Sequence, residues 1–250
     1  MDLRWEILAG YGPLFASGLW MTVQLTLVAI GVGMVLGVLF GLVSASADAP
    51  APRTAPLRWL LKAARLFTLA YVTFFRGTPL FVQILLVHFA VMPALVHPDG
   101  GLLLAGDLAR TFRQEHGAFL SGCLALSLNA GAYISEIFRA GIQSIHLGQT
   151  QAAYSLGLTH PQAMRYIVLP QAFRRMMPAL VNEGITLIKD SSLVSAIGLA
   201  ELALAARTVA GAYSRYWEPY LAISAMYLAL TLLLSLLAKR LEAPAHLRGR

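Results

Sequence analysis

Five segments of the chain are long and apolar enough to cross a lipid bilayer, where a helix needs about 20 consecutive apolar residues. They run approximately over residues 18–44, 67–95, 118–138, 180–206 and 220–238. The fourth segment is irregular, since Lys189, Asp190 and Ser191 interrupt its apolar run. The pattern predicts an all-α integral membrane protein with five transmembrane helices in a single domain, residues 1–250.

Ionisable residues inside such segments are energetically expensive and usually indicate a function. Arg76 lies within the second segment, where Gly77 and Pro79 loosen the helix. It either faces a translocation pathway or forms a structural ion pair. Glu136 stands three residues before Arg139 and can pair with it on one helix face, either beside the pathway or at the membrane interface.

Lys189 and Asp190 predict a break in the fourth segment, because Ser191 or Ser192 can cap a new helix after them. We expect non-helical backbone within residues 188–193. A broken helix at membrane depth is tolerated only where protein or water satisfies its backbone. Such a break lies beside a translocation pathway or a subunit interface, or it is a plain helix end.

The composition excludes several classes of function. Hydrophobic residues make up 58% of the chain and charged residues only 12%, whereas a soluble domain is about one quarter charged. The single cysteine, Cys123, and the six histidines show no metal-ligand spacing, so we assign no metal. No lysine follows a glycine, which excludes a phosphate-binding P-loop, and no hydrolase motif occurs. We therefore expect neither a catalytic site nor a cofactor in this chain.

The net charge of +7 is explained by membrane topology rather than by nucleic-acid binding, because the basic residues are scattered between apolar segments. Cytoplasmic loops of membrane proteins are enriched in lysine and arginine. Residues 45–66, residues 139–179 and the tail after residue 238 hold four basic residues each, against five in all the alternate segments. The N-terminus is therefore predicted outside and the C-terminus in the cytoplasm.

The predicted cytoplasmic loop 139–179 carries strong signals for a helical hairpin. Residues 149–156 are good helix formers, and Gly157 can end that helix in a left-handed conformation. Thr159 then caps a second helix, with Gln162 three residues later completing a capping box. On physical grounds alone, this helix–Gly–helix unit either docks a protein partner or rests on the lipid surface.

The hairpin sequence is similar to the EAA loop of ABC-importer permeases, EAA-x3-G-x9-I-x-L-P. The matching residues, at the same spacing, are Gln151, Ala152, Ala153, Gly157, Ile167, Leu169 and Pro170. Gln151 stands where the family usually has glutamate, and its amide still offers an acceptor. In that family the loop supplies the coupling helix, which sits in a groove on a cytoplasmic ATPase. The resemblance assigns to this coupling loop Gln151, Ala152, Ala153, Ser155, Gly157, Leu169 and Pro170.

Three further segments resemble the polar amino acid subfamily of these permeases, namely residues 75–83, 131–142 and 187–193. With the loop, they cover roughly residues 18–205 in the family's order. The resemblance implies the five-helix fold of a type I ABC-importer permease, which forms half of a pathway for a polar amino acid. The candidates for lining that pathway are Arg76, Glu136, Lys189, Asp190 and Ser191.

The resemblance also implies partners in the bacterial cytoplasmic (inner) membrane and on either side of it. They are an ABC ATPase dimer that binds the ATP, a second permease subunit, identical or paralogous, and a periplasmic or lipid-tethered amino-acid-binding protein. The alternative function is a stand-alone secondary transporter, which works without an ATPase. Those folds are commonly built from inverted repeats, and no internal repeat is visible in this chain.

The predicted topology can be checked by labelling introduced cysteines in intact cells with a membrane-impermeant reagent. A cysteine at Gly100, in the external segment 96–116, should be labelled, and one at Gly148 should be protected. A chain carrying Cys123→Ala provides the background. The reverse pattern would overturn both the orientation and the cytoplasmic position of the hairpin.

Overall fold

The computed structural model describes residues 3–46 and 54–242, with side chains described up to residue 240. Regular secondary structure in these residues is helical, and one isolated β-bridge joins Val96 to Leu104. The helices are α1 (Glu6–Ala9), α2 (Gly12–Ala45), α3 (Ala55–Gly77), α4 (Leu80–Leu95), α5 (Gly106–Gln143), α6 (Leu147–Ser155), α7 (His160–Ile197), α8 (Leu202–Tyr213) and α9 (Trp217–Glu242). By length and composition, α2, α5 and α9 can each span a membrane, and the number rises to five if α3 with α4 and α7 with α8 each form one bent span.

The helices extend well beyond the apolar segments of the sequence. Helix α3 begins at Ala55, inside the predicted loop 45–66, and α5 continues to Gln143. Helix α7 begins at His160 and enters the fourth segment without a loop. Hydropathy detects only the apolar part of a helix, whereas the backbone hydrogen bonds continue through amphipathic turns. Most of residues 139–179 is therefore helical.

Prolines set the irregularities of two helices. Thr78, directly before Pro79, adopts an extended conformation with φ −120° and ψ 150°, so the second apolar segment, 67–95, is not one continuous helix. The residue before a proline is disfavoured in the helical region. Helices α4 and α7 each contain a π turn, Val87–Val91 and Met164–Val168, shortly before Pro93 and Pro170 respectively. A proline cannot donate its backbone hydrogen bond, and a wider turn relieves the clash with the carbonyl four residues earlier.

The break predicted within residues 188–193 is wrong in position. Helix α7 is α-helical from Leu169 to Asp190 and tightens into 3₁₀ turns over Ser191–Ile197. It ends at Gly198, which is left-handed with φ 83°. Helix α8 follows after Glu201, and the two helices are bent by 52° at this point.

The serines of this segment explain why the helix does not stop earlier. The Ser191 hydroxyl donates to the Ile188 carbonyl and the Ser192 hydroxyl to the Lys189 carbonyl, at 2.7 Å each. Serine inside a helix commonly bonds back to the preceding turn in this way. Neither hydroxyl therefore caps a new helix.

One compact unit comprises the described residues of 1–31, 79–127 and 184–250. One hydrophobic cluster in this unit contains Phe15 of α2 and residues of α8 and α9: Leu202, Ala205, Ala206, Val209 and Ile223. A smaller cluster of Met92, Val96 and Ala109 joins α4 to α5. The connection between these two helices is closed by backbone hydrogen bonds, including His97 N–H to Leu104 O at 3.1 Å. The α4–α5 connection is thus an ordered hairpin.

The other unit comprises the described residues of 32–78 and 128–183. Glycines of α2 allow α5 to approach its backbone closely in this unit. A Cβ atom at Gly37 would overlap the Ile134 side chain, and one at Gly41 would lie 2.6 Å from Phe138 Cβ. Small residues that permit close backbone approach are typical of helix packing in lipid, where the hydrophobic effect does not drive helices together.

Two side-chain hydrogen bonds join α3 to α5 in the same unit. The Tyr71 hydroxyl donates to the Leu128 carbonyl at 2.6 Å, and the Asn129 amide donates to the Phe75 carbonyl at 3.1 Å. Tyr71 also packs with Phe40 of α2, with ring centroids 4.5 Å apart. Polar bonds between helices therefore add to the close packing at the glycines.

The glycine contact predicts a difference between two substitutions on the same helix. Gly37→Val should lower the free energy of unfolding by about 1–3 kcal/mol, because the added side chain overpacks the contact with Ile134. Gly31→Val is the matched control, since a Cβ there meets nothing within 4 Å. Thermal unfolding of the purified protein in detergent measures both. Equal midpoints for the two variants would contradict the close contact.

Candidate functional site

Helix α6 is the first half of the predicted hairpin and begins with a side-chain cap. His146 precedes it, and its Nδ1 accepts a hydrogen bond from the Gly148 N–H at 3.0 Å. The helix spans Leu147–Ser155, so it begins slightly earlier than the predicted range 149–156. A cap of this kind satisfies one of the amide groups left free at a helix start.

The turn after α6 is built around Gly157, which has the predicted left-handed conformation with φ 81°. The Gly157 N–H donates to the Tyr154 carbonyl at 2.9 Å, and the Leu158 N–H donates to the Ala153 carbonyl at 3.1 Å. This pair of bonds is the Schellman motif, which closes a helix end and satisfies its last carbonyls. The chain therefore reverses sharply at a defined point.

Helix α7 starts with the predicted capping box. The Gln162 side chain accepts from the Thr159 N–H at 2.8 Å, and the reciprocal contact of the Thr159 side chain is also present. Across the turn, the Tyr154 hydroxyl lies 2.8 Å from His160 Nδ1 and links the two helices. Both helix ends and their connection are thus fixed by local hydrogen bonds.

The predicted coupling residues divide into one buried anchor and an exposed surface. Ala153 is 1% exposed and belongs to α6, which contacts the first turns of α7, where Ala163 and Val168 are also buried. Gln151, Ala152, Ser155, Gly157 and Pro170 are exposed, and Leu169 is half-buried. Large apolar side chains are also exposed on the hairpin, namely Leu147, Tyr154, Leu156 and Tyr166. The hairpin therefore offers a rigid, largely uncharged surface.

Arg76 and Glu136, which are far apart in sequence, meet in a cluster of charges between α3 and α5. Arg139 donates two hydrogen bonds to the Glu136 carboxylate, at 2.7 and 3.1 Å. Arg76 Nη1 lies 3.3 Å from the same carboxylate. Bidentate arginine–carboxylate contacts are among the stronger ion pairs in proteins. Two guanidinium groups thus share one carboxylate.

A cleft opens beside this cluster. The Arg76 guanidinium lies 5.4 Å from the centre of the Tyr133 ring, in a cation–π contact. The cleft is also lined by Arg175, which donates to the Ser144 carbonyl. Cations therefore outnumber the Glu136 carboxylate at the cleft, an arrangement that can attract an anion.

The remaining pathway candidates lie at the end of the α-helical part of α7. Ser191 is fully buried, Asp190 is half-buried and Lys189 is exposed. These residues belong to the unit of residues 1–31, 79–127 and 184–250, whereas Arg76 and Glu136 belong to the other unit. They do not form the helix break expected at this position.

Glu201, which the sequence reading missed, is the centre of a buried polar network. Its side chain is fully buried and accepts hydrogen bonds from the Tyr227 hydroxyl at 2.6 Å and the Leu204 N–H at 3.0 Å. The buried Thr22 hydroxyl lies 3.5 Å from Glu201 Oε2, the same oxygen that accepts from Tyr227. An acidic residue directly before a run of helix formers interacts favourably with the positive end of the helix dipole, a signal that could have placed Glu201 at the start of α8.

Comparisons with known proteins give consistent matches over most of the chain. Residues 33–244 match the family described as binding-protein-dependent transport system inner membrane component. The arginine transport system permease protein ArtQ of Bacillus subtilis (strain 168) is 34% identical over 92% of this chain and 91% of its own length. The glutamate/aspartate import permease protein GltK of Escherichia coli O157:H7 is 34% identical over 96% of this chain and 97% of its own length.

A solved structure shows the same fold. The crystal structure of an amino acid ABC transporter with histidines contains a chain that is 36% identical to this one. The two superpose with a TM-score of 0.79 over 98% of this chain and 100% of the other. The chain therefore belongs to the family of binding-protein-dependent transport system inner membrane components, and is an inner-membrane permease subunit of an ABC importer.

Proposed function

We propose that this permease imports a polar amino acid and forms half of the translocation pathway. Its relatives are named for arginine and for glutamate or aspartate, and the solved neighbour is an amino acid ABC transporter. These substrates share the α-amino and α-carboxyl groups and differ in side-chain charge. The names of the relatives therefore support polar amino acids as the class of substrate, without selecting one amino acid.

The proposed assembly contains three kinds of partner. An ABC ATPase dimer binds and hydrolyses the ATP in the cytoplasm, so the permease itself has no enzymatic activity and needs no cofactor. A second permease subunit, identical or paralogous, completes the pathway. A periplasmic or lipid-tethered amino-acid-binding protein delivers the substrate, in line with the binding-protein-dependent family to which the chain belongs.

We further propose five spans, formed by α2, α3 with α4, α5, α7 with α8, and α9. Each of these helices or bent pairs is long and apolar enough for one crossing. Five crossings place the termini on opposite sides, and the distribution of lysine and arginine supports an external N-terminus. In this arrangement α6 is cytoplasmic and the α4–α5 hairpin is external.

The observation that carries the coupling function is the capped, exposed hairpin around Gly157. Exposed apolar side chains such as Leu156, which is 81% exposed, favour a protein-docking surface. A helix resting on lipid typically carries lysine or arginine on its polar face, and α6 contains neither. We therefore favour docking on the ATPase over adsorption to the membrane.

Arg76 is proposed to face the translocation pathway through the cleft at Glu136. It is 42% exposed and shares its carboxylate partner with Arg139. Arg139 already donates two hydrogen bonds to the Glu136 carboxylate. Arg76 can therefore leave this carboxylate and bind the carboxylate of a substrate instead. Lys189, Asp190 and Ser191 stay further candidates for the pathway.

Two substitutions in the hairpin test the coupling function. Gly157→Val should strain the left-handed turn by about 1–3 kcal/mol, and Ala152→Asp should place an unpaired charge against an apolar groove. Both variants should insert normally but bind the ATPase weakly and lose ATP-driven uptake. ATPase co-purification and amino-acid uptake measure these effects, with membrane abundance as the reference.

Matched controls exist for both hairpin variants. Gly211→Val introduces the same residue where the backbone is not left-handed and a Cβ meets nothing within 4 Å. Ala55→Asp adds the same charge at an exposed position at the start of α3, outside α6 and α7 and on the same side of the membrane in the proposed topology. Normal uptake by both hairpin variants at normal abundance would mean that the hairpin does not couple to an ATPase.

A third substitution tests the proposed role of Arg76. Arg76→Gln leaves the Glu136 pair with Arg139 in place, so the protein should assemble normally but take up amino acid at least about tenfold more slowly if a substrate carboxylate is bound there. Arg58→Gln changes an exposed arginine of the same helix and serves as the control. Equal initial uptake rates for the two variants would reduce the Arg76–Glu136 contact to a structural ion pair.

A further inference from the structure

A small cleft lies where α4 meets the start of α5, at the hairpin proposed to be external. It has a volume of about 280 Å³. The residues that line it are His88, Met92, Pro98, Arg110, Arg113, Gln114 and Gly117. Arg110 and Arg113 are positively charged, His88 becomes so when it is protonated, and none of the lining side chains is acidic.

The geometry of α5 directs its polar residues toward this cleft. Arg110, Arg113, Gln114 and Gly117 follow the spacing i, i+3, i+4 and i+7, which places them along one face of a helix. On α4, His88 lies within the π turn Val87–Val91. Such turns change the direction of a side chain and are frequent at functional sites.

A hydrogen-bond chain holds the His88 ring in place. The Ser121 hydroxyl donates to the Gly117 carbonyl at 2.7 Å. Its oxygen therefore accepts from His88 Nδ1, which lies 3.0 Å away. With the proton of the neutral ring on Nδ1, the Nε2 atom is left for a second partner. His88 is thus oriented rather than free to rotate.

The positive charge of the cleft is poorly neutralised. Arg110 lies 4.0 Å from Asp107, whose side chain is fully exposed, so this contact is weak. Among the residues that the structure describes, no carboxylate forms an ion pair with half-buried Arg113. The acidic residues nearest in sequence are exposed and lie beside other groups: Asp99 beside His97 and Glu115 beside His116.

We propose that this cleft receives an aspartate or glutamate side chain of the amino-acid-binding protein. The proposal rests on the function above, because it needs both that partner and an external hairpin. A guanidinium that lacks a counter-ion matches a carboxylate in charge and geometry. A volume of about 280 Å³ accommodates one acidic side chain and lies just below the usual range for small-ligand pockets, about 300–1,000 Å³.

The contact is tested with the permease–ATPase complex in nanodiscs of phosphatidylcholine, which offer no anionic headgroup to the cleft. The probe is the purified binding protein that stimulates ATP hydrolysis by the unmodified complex, and its affinity is measured by surface plasmon resonance. Arg113→Gln should weaken binding roughly tenfold, as expected for one charge-assisted hydrogen bond. It should also reduce the salt dependence of the association rate.

The matched control is Arg207→Gln, which removes an exposed arginine from α8 at a position that is also external in the proposed topology. Binding of this variant should equal that of the unmodified complex. Arg113→Glu should bind the probe more weakly still, and replacing the contacting acidic residue of the binding protein by lysine should restore affinity. Equal affinities for Arg113→Gln and Arg207→Gln would overturn the proposal.

A second measurement distinguishes the partner's carboxylate from that of the substrate. Radiolabelled L-arginine, L-glutamate and L-glutamine are added to the complex without binding protein, and bound label is counted. Arg113→Gln should leave this binding unchanged. Weaker binding of a free amino acid with unchanged affinity for the binding protein would overturn the proposal and assign the cleft to substrate. If no binding protein stimulates the unmodified complex, the proposed function itself fails, and this inference fails with it.

Discussion

The hydrocarbon interior of a bilayer offers no hydrogen-bond partner, so the backbone groups within it must be satisfied by the protein itself. The break between α7 and α8 shows how this chain meets the constraint away from a helix. Thr22 accepts from the Leu202 N–H at 3.4 Å, and Glu201 accepts from the Leu204 N–H at 3.0 Å. Side chains thus bond two of the amides that the bend leaves without a partner in their own helix. The bend is stable because two buried polar side chains support it.

The same constraint explains how the chain tolerates buried carboxylates. The Glu201 carboxylate accepts hydrogen bonds from the Leu204 N–H of α8, from Tyr227 of α9 and from Thr22 of α2, so one side chain joins three helices. Glu136 is shared by Arg76 and Arg139. A charge within a membrane protein is stable only when it is paired or hydrated. The two sites differ in exposure, since Glu201 is fully buried whereas Glu136 is partly exposed and borders a cleft.

The hairpin of α6 and α7 depends on local interactions instead. His146, the turn at Gly157 and the capping box at Thr159 together satisfy the amides and carbonyls at three helix ends. Because these bonds form between neighbours in sequence, the hairpin needs little support from the spans. In the proposed function, an ATPase docked on the hairpin would act directly on α7, which begins at His160 immediately after the turn.

Short-range signals were enough to predict the membrane class, the helix–Gly–helix hairpin, the left-handed Gly157 and the capping box at Thr159, because apolar length, capping boxes and left-handed glycines act over only a few residues. The cap at His146 was not predicted. The sequence also placed Arg76 and Glu136 among the residues of interest. The folded structure was needed to show that these two pair with each other, that Gly37 contacts Ile134, and that the break near the end of α7 falls at Gly198 rather than at Asp190. Lys189 and Asp190 continue the helix because a local charge does not break backbone hydrogen bonding. The bend instead forms where Glu201, at the bend itself, and Thr22, distant in sequence, accept hydrogen bonds from the first amides of α8.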